Sequence, residues 1–563
     1  VIIIGAGWAG LAAARTYVTI NPEIDLTILD DDTSVGGVWS KSRLYPGLIA
    51  DSANGLFEFS DETMVTEKQP KYKLIPGSQI QSYLWQYAKK WDLTRRIQSD
   101  SKVVKAERIG REGSYEGWRL FTAKGDVLEC SKLIVASGLY SKPYTPDIPG
   151  KETFEGLVLH SKELGVSHQK LATSDVKSVI VVGGRKSAIE AANICFAAKK
   201  HVHWIVRPSN IGVPFVVSDP DMKPNLMSAN QARIFSVWSP SIFNTDGFWY
   251  RFLHSGRSAV GNRVYGGFWR LMSWAITKDV GYEKSANGKM VKPGEPNVFR
   301  TLGSTSLLQK GSNTFLDELH SGKYVTVHRA GLRSMTSKGA LLDNDEVLEA
   351  DAVVFCTGWR PSTDYFGDQD ASDLGLPVNP ETEDPEVAKY WAQLLEEADQ
   401  EMVKIFPHMA EGPRPEFVKD ATQFRMYREI LSPKLLAQED RSIAFAGFVS
   451  SSQTAFNAEI MALWVVAWLE GLMPKSNLPT ESMMDKDVAR TIAWMERRYR
   501  SGGRAPEIVF ESQSYFDALV ADLGLEVNRK KKGFLGSLKE WVVPYMPGDY
   551  AGIIEEYMRG VKE

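Results

Sequence analysis

The sequence predicts an α/β protein containing two Rossmann-like dinucleotide-binding units, and three observations carry the prediction. Twice, at Val1–Ile4 and Val179–Val182, a short β-branched run enters a glycine-rich turn and then a helix-forming stretch. Such runs mark strands buried on both faces of a parallel sheet. About twenty residues beyond each turn, a second apolar strand ends on a charged residue, Asp30 in one case and Arg207 in the other. Finally, 563 residues exceed what one core organises, and the length points to between two and four domains.

The first unit runs from Val1–Ile4 into Gly5-Ala-Gly7-Trp-Ala-Gly10 and on into Leu11–Thr16. Strand, GxGxxG turn and helix in immediate succession give the motif its meaning. Gly5 permits the turn, Gly7 lets the backbone approach a pyrophosphate, and Gly10 lets helix and strand pack closely. The helix N-terminus then offers free N–H groups to phosphate oxygens. The second strand, Asp25–Leu29, ends at Asp30, whose carboxylate accepts ribose hydroxyls and repels a 2′-phosphate. Val35-Gly-Gly37-Val-Trp39 follows at once and resembles the GG-x-W element of FAD-binding monooxygenases. Arg43–Leu48 with Asp51 resembles the flavin-contacting loop of Baeyer–Villiger and fungal flavin-containing monooxygenases. The resemblance makes FAD the expected occupant of this unit.

The second unit departs from the standard fingerprint. Its turn reads Gly183-Gly-Arg185-Lys-Ser187-Ala188, with arginine where the middle glycine belongs. Its next strand, His201–Val206, ends at Arg207, a guanidinium in the place of an acid. Arg207 is suited to bidentate pairing with a 2′-phosphate, so NADPH is the expected ligand, with Gly183, Arg185 and Ser187 as further contacts. Two such sites imply a hydride path from NADPH through FAD to an acceptor. Disulfide reductases need a cysteine pair, whereas Cys130, Cys195 and Cys356 are scattered. Dioxygen is therefore the expected acceptor.

Between the units, Phe154-Glu-Gly156…His160…Leu164 resembles the signature of the class B flavin monooxygenases, with leucine at the usually aromatic last position. Leu133–Gly138 and Val353–Trp359, the latter holding Gly358, resemble the segments by which that family enters and leaves its nucleotide-binding insertion. Val103 resembles the position whose backbone holds the adenine. The resemblance, closest to the fungal type, implies an NADPH domain (156–339) inserted into an FAD domain (1–155 and 340–563). It also implies oxygenation of an apolar small molecule through a C4a-(hydro)peroxyflavin: at nitrogen or sulfur, by hydroxylation, or beside a ketone as in Baeyer–Villiger chemistry. Asp51 is the candidate catalytic side chain, since Baeyer–Villiger proteins carry Asp after the same Tyr-Pro-Gly; loop capping is its other reading. An NADPH oxidase and a non-catalytic nucleotide-binding protein are the competing readings of function.

Residues 208–296 are too long for an ordinary loop and are rich in aromatic residues. Tyr265, Phe268, Trp269 and Met272 form one helical stripe, which either packs the helix onto its domain or walls a substrate channel. In the tail, Arg529–Lys532 precedes Phe534, Leu535, Leu538 and Trp541, a pattern that fits a docking helix beside a solvated charge run or a peripheral membrane contact. A net charge of −4 speaks against a nucleic-acid partner, and no metal-ligand spacing occurs. No apolar run reaches bilayer length. The three lone cysteines suit a reducing, cytoplasmic compartment; with Val1 already inside an apparent strand, residues are expected upstream, and a targeting segment there stays open.

Overall fold

Both β-branched runs form strands at the centre of parallel sheets, where side chains on either face are covered. In the computed structural model these sheets belong to two Rossmann-like units of an α/β chain. It describes residues 1–563 except 66–70, 112–113, 210–211, 220, 222–225, 296, 302, 304, 310–314, 413–419, 500–504, 532, 534 and 563. Pro296, Lys532 and Phe534, singled out in the sequence, lie outside the described residues.

The first sheet has the order Ile443–Phe445, Leu133–Val135, Ile2–Ile4, Thr27–Leu29, Ile97–Gln98, all parallel. Ile2 to Ile4 are buried to 7% exposure or less. The strand expected from Asp25 begins at Thr27, the partner of Ile2 in the register. Helix Trp8–Ile20 covers one face and packs on helix Thr454–Leu469, of which every residue from Ala455 to Leu469 is buried. A helix apolar all round belongs in a core. Among the described residues no helix is long and apolar enough to cross a membrane.

The second sheet repeats the plan: Leu157–His160, Ala352–Phe355, Ser178–Val182, His201–Ile205, Val325–His328, again all parallel. Each unit carries a three-stranded antiparallel meander, Val103–Arg111/Ser114–Thr122/Val127–Cys130 in the first and Leu332–Thr336/Gly339–Leu342/Val347–Glu349 in the second. Strand pairing carries the second sheet beyond residue 340. Ala352–Phe355 lies between Leu157–His160 and Ser178–Val182, so the chain leaves the second sheet only after Phe355. The outward and returning segments meet as an antiparallel pair, Lys142–Pro143 with Trp359–Arg360.

The aromatic insertion is helical. Helix Ala259–Val280 starts on Ser258, whose Oγ accepts from Gly261 N–H, and stops at Gly281 in the left-handed region, φ 68°. Its expected stripe faces inward: Tyr265 and Trp269 are buried in a small core with Val237, Leu253 and Phe299, and Phe268 and Met272 pack against it. Arg498 ties this subdomain to the C-terminal region. Its guanidinium, fully buried, donates to Phe299 O at 2.6 Å and to Glu511 at 2.8 Å.

Candidate functional site

The first glycine-rich turn is built by contacts that tolerate no side chain. A Cβ on Gly10 would lie 1.8 Å from Gly5 O, and one on Gly5, with φ +108°, would lie 2.4 Å from Ala136 O. Gly7 and Gly37 face each other so closely that a Cβ on Gly37 would sit 3.2 Å from Gly7 Cα. The turn therefore presents bare backbone to a cleft lined by Gly5, Gly7, Asp30, Gly37, Val103 and Gly138. Asp30 lies at its floor. Its Oδ2 accepts from Ala6 N–H at 2.5 Å and its Oδ1 from Asp32 N–H at 2.8 Å. Burial pushes its carboxyl up to about 6 against those two bonds. Each oxygen keeps a lone pair beyond its backbone bond, so the carboxylate both shapes the turn and remains an acceptor.

Beside this cleft lies a cavity of about 1250 Å³ where the two units meet. Trp39, Arg43 and Asp51 line it from the first unit; Gly183, Arg185, Ser187 and Arg207 line it from the second, with Gly358 at the crossing. Val38, Arg43, Ser450 and Thr454 border both spaces, so cleft and cavity adjoin. Arg185 is the N-cap residue of helix Lys186–Ala197, with extended backbone (φ −125°), and Arg207 is exposed at the end of its strand. Gly183 takes φ +141°, and a Cβ there would meet Cys356 O at 2.3 Å. The neighbouring position of Gly10 in this unit is Ala188, fully buried.

The crossing is held by His160. Its Nε2 lies 3.1 Å from Gly358 O, Lys162 N–H donates to its Nδ1, and its ring meets Trp359 edge-on at 5.0 Å. Burial lowers its pKa. It joins the two units and does not line the cavity. Leu164, at the family's aromatic position, is fully buried at the start of helix Leu164–Leu171. The next residue, Gly165, packs that helix onto the backbone of Ser42 and Arg43. Arg43 donates to Tyr140 O at 3.1 Å and stands over the Trp359 ring.

Asp51 lies on strand Ile49–Ala53, and its Oδ1 accepts from Leu307 N–H of strand Ser306–Gln309 at 3.2 Å. This bond reaches across 256 residues and ties the strand of Asp51 to that of Leu307. Burial pushes Asp51 up to about 6, opposed by Lys186. Sequence reasoning missed the residues around it: Lys186, Glu190 and the hydroxyl of Tyr45. Lys186 Nζ donates to Ile49 O at 2.5 Å and pairs with Glu190, which also accepts from Tyr45. The i, i+4 spacing of Lys186 and Glu190 on the fingerprint helix was the available signal. Ser450, Ser451 and Ser452, preceding helix Thr454–Leu469, supply a polar wall that was also missed. Glu459 inside that helix accepts from Ser60 N–H at 2.7 Å and Ser60 Oγ at 3.0 Å, and burial pushes it up to about 8.

The residues present suit a flavin dinucleotide. Two glycines packed against each other present bare backbone that a pyrophosphate can approach, and the cleft adjoins a cavity large enough for a ring system and a second dinucleotide. Comparison with known proteins agrees. A model of the pyridine nucleotide-disulphide oxidoreductase family matches residues 2–241. The three cysteines are free thiols, without the pair that this family's name invokes. An FAD-dependent monooxygenase of Aspergillus nomiae is 33% identical, covering 100% of this chain and 99% of that protein. Another, from Aspergillus sclerotiorum, is 32% identical over 99% of this chain and 98% of its own. Among solved structures, the cyclohexanone monooxygenase from Rhodococcus sp. Phi1 bound to NADP+ superposes with a TM-score of 0.58, at 17% identity, over 93% of this chain and 97% of that one.

Proposed function

The chain belongs to the FAD-dependent monooxygenases, and we propose that within them it spends NADPH and dioxygen to insert one oxygen atom into an apolar small molecule. One observation carries the reading: the cleft over the first glycine-rich turn adjoins a cavity lined by the second turn and Asp51, with Trp8 of the first turn bordering both. A dinucleotide on the second turn and a flavin on the first would share that space, as hydride transfer requires.

In this reading Gly5, Gly7, Gly10, Gly37, Gly138 and the backbone of Val103 hold FAD, and Asp30 accepts its ribose hydroxyls. Trp39 and Gly358 border the ring. Gly183, Arg185 and Ser187 hold the NADPH pyrophosphate, and Arg207 pairs with the 2′-phosphate. The FAD domain comprises the first sheet and the C-terminal helices, and the NADPH domain ends after Phe355. Bound FAD supplies the redox chemistry and the activation of dioxygen, and NADPH supplies the hydride. The protein's part is to hold these groups together, to exclude water with Trp8, Trp39 and Phe57 at the inner wall, and to set the charge at Asp51.

Oxygenation at nitrogen or sulfur, or hydroxylation, is the first outcome; Baeyer–Villiger oxidation of a ketone is the second, favoured by Asp51 and by the likeness to a protein named cyclohexanone monooxygenase. An anaerobic NADPH titration of the purified holoenzyme, followed by air, tests the function. Bleaching of the flavin band and slow, oxygen-dependent return through a new absorbing species support it. A bound flavin that NADPH never bleaches overturns it.

A peripheral membrane contact is a second proposal. Trp249 of helix Gly247–Leu253 and Trp541 of helix Gly536–Val542 meet at 6.3 Å, and with Phe248 and Leu538 form one exposed apolar patch. Lys531 and Lys539 are exposed in the tail beside it. Aromatic and basic residues together suit an anionic lipid surface.

A further inference from the structure

Two carboxylates, one ammonium and one phenol gather where the two units meet in the cavity. Tyr45 and Asp51 come from the segment following the first fingerprint; Lys186 and Glu190 come from the helix following the second. Lys186 is anchored twice: its Nζ donates to Ile49 O at 2.5 Å and pairs with Glu190, whose other oxygen accepts from the Tyr45 hydroxyl. Ile49 and Asp51 are two residues apart on one strand and so share a face. The ammonium is thus fastened to the backbone of the strand that carries Asp51.

The electrostatics follow from that placement. Asp51 is drawn toward its neutral form by burial and by Glu190, and toward its charged form by Lys186 and the Leu307 N–H. Tyr45 is kept protonated by burial and by Glu190, and Cys356 by burial, so neither adds charge. Lys186 is the cation of this cluster, and in a water-poor site its field is felt over several ångströms. Successive residues on an α-helix point about 100° apart. Arg185 at the cap and Lys186 in the first turn therefore serve different directions.

We propose that Lys186 is a positioning residue for oxygenation: held by Glu190 and by the Ile49 carbonyl, it keeps the Asp51 carboxylate ionised at the cavity wall. Its neighbour Arg185 meanwhile faces the dinucleotide. The inference rests on the function proposed above, and it adds that the helix binding the nucleotide also sets the charge beside the flavin.

Infrared titration of the FAD-loaded protein tests it, with the Asp51 carboxyl band identified by its loss in Asp51→Asn. Lys186→Met should move the Asp51 midpoint up by about one pH unit or more. Lys186→Arg should return it to near the wild-type value. Glu190→Gln, which removes a repelling charge, should move it down. An unmoved midpoint in Lys186→Met overturns the proposal. Should that variant fail to fold, Lys186→Gln is titrated in its place, and a midpoint it leaves unmoved overturns the proposal. The two readings fail separately. A flavin that NADPH does not bleach retires the function, whereas an unmoved midpoint in a protein that bleaches retires the role of Lys186 alone.

Discussion

The two sheets of this protein share one plan, and three positions at their turns and strand ends set them apart. In each, a central β-branched strand enters a turn and a helix, a second strand follows, and an antiparallel meander precedes the fourth strand. The outer strand beside the fourth is Ile443–Phe445 in the first unit and Leu157–His160 in the second. Against this common frame, Gly7, Gly10 and Asp30 stand opposite Arg185, Ala188 and Arg207. The first set leaves bare backbone and an acceptor, and the second brings two guanidinium groups to the cavity, as the proposed NADPH site requires. Backbone topology makes a dinucleotide site; the side chains at its rim choose which dinucleotide.

The comparison breaks most sharply at the helix–strand contact. Gly10→Ala places a methyl 1.8 Å from Gly5 O and should cost on the order of 3 kcal/mol or more, leaving protein purified without flavin. Ala188→Gly, the reverse change in the second unit, should cost only about 1 kcal/mol and leave the flavin bound. Equal flavin content in both variants would show that the two turns do not differ in this way. Next in size, Arg207→Ala should raise the KM for NADPH about 10- to 100-fold, as loss of a charge-assisted pair implies, with little change for NADH. A parallel rise for both nucleotides removes Arg207 as the 2′-phosphate ligand. Asp51→Asn should leave NADPH-driven bleaching intact and lower oxygenated product per NADPH about tenfold or more. Unchanged product yield would return Asp51 to a purely structural role.

The smallest effect concerns stability. Glu459, on the buried helix of the first unit, has its carboxyl raised from the ordinary value to about 8. A raised carboxyl stabilises the fold fully below its unfolded value near 4.5, and that contribution is lost as pH rises through about 8. In the second unit, burial and neighbouring histidines lower His203 to about 4, so its contribution is present above about 6.5 and lost as pH falls through 4. Glu459→Gln should therefore melt a few degrees above wild type at pH 9 and alike at pH 4. A variant that gains nothing at alkaline pH would show that Glu459 is ionised without cost.

Much of the site was legible before the fold was known. Gly5, Gly7, Gly10 and Asp30 announce themselves because a turn, a helix start and a strand end are set by neighbours in the chain. The inward stripe of Tyr265 and Trp269 was legible for the same reason, as a helical period. The course of the chain near residue 340 was less legible, because the meander strands Gly339–Leu342 and Val347–Glu349 carry no local sign of which sheet they serve. Nor could the sequence show that Asp51 would find its backbone partner on Leu307 and its cation on Lys186.

By itself the sequence determined the class of fold, the two glycine-rich turns and the contrast between Asp30 and Arg207, all consequences of backbone preferences and apolar periodicity over a few tens of residues. Only the tertiary structure decided which charges meet in the cavity. Lys186 and Ile49 are separated by 137 residues and belong to different units, and their contact exists because the two sheets dock with the fingerprint helix of one against the flavin loop of the other. Burial at that junction pushes the Asp51 carboxyl up, and Lys186, brought there only by the docking of the two units, opposes it.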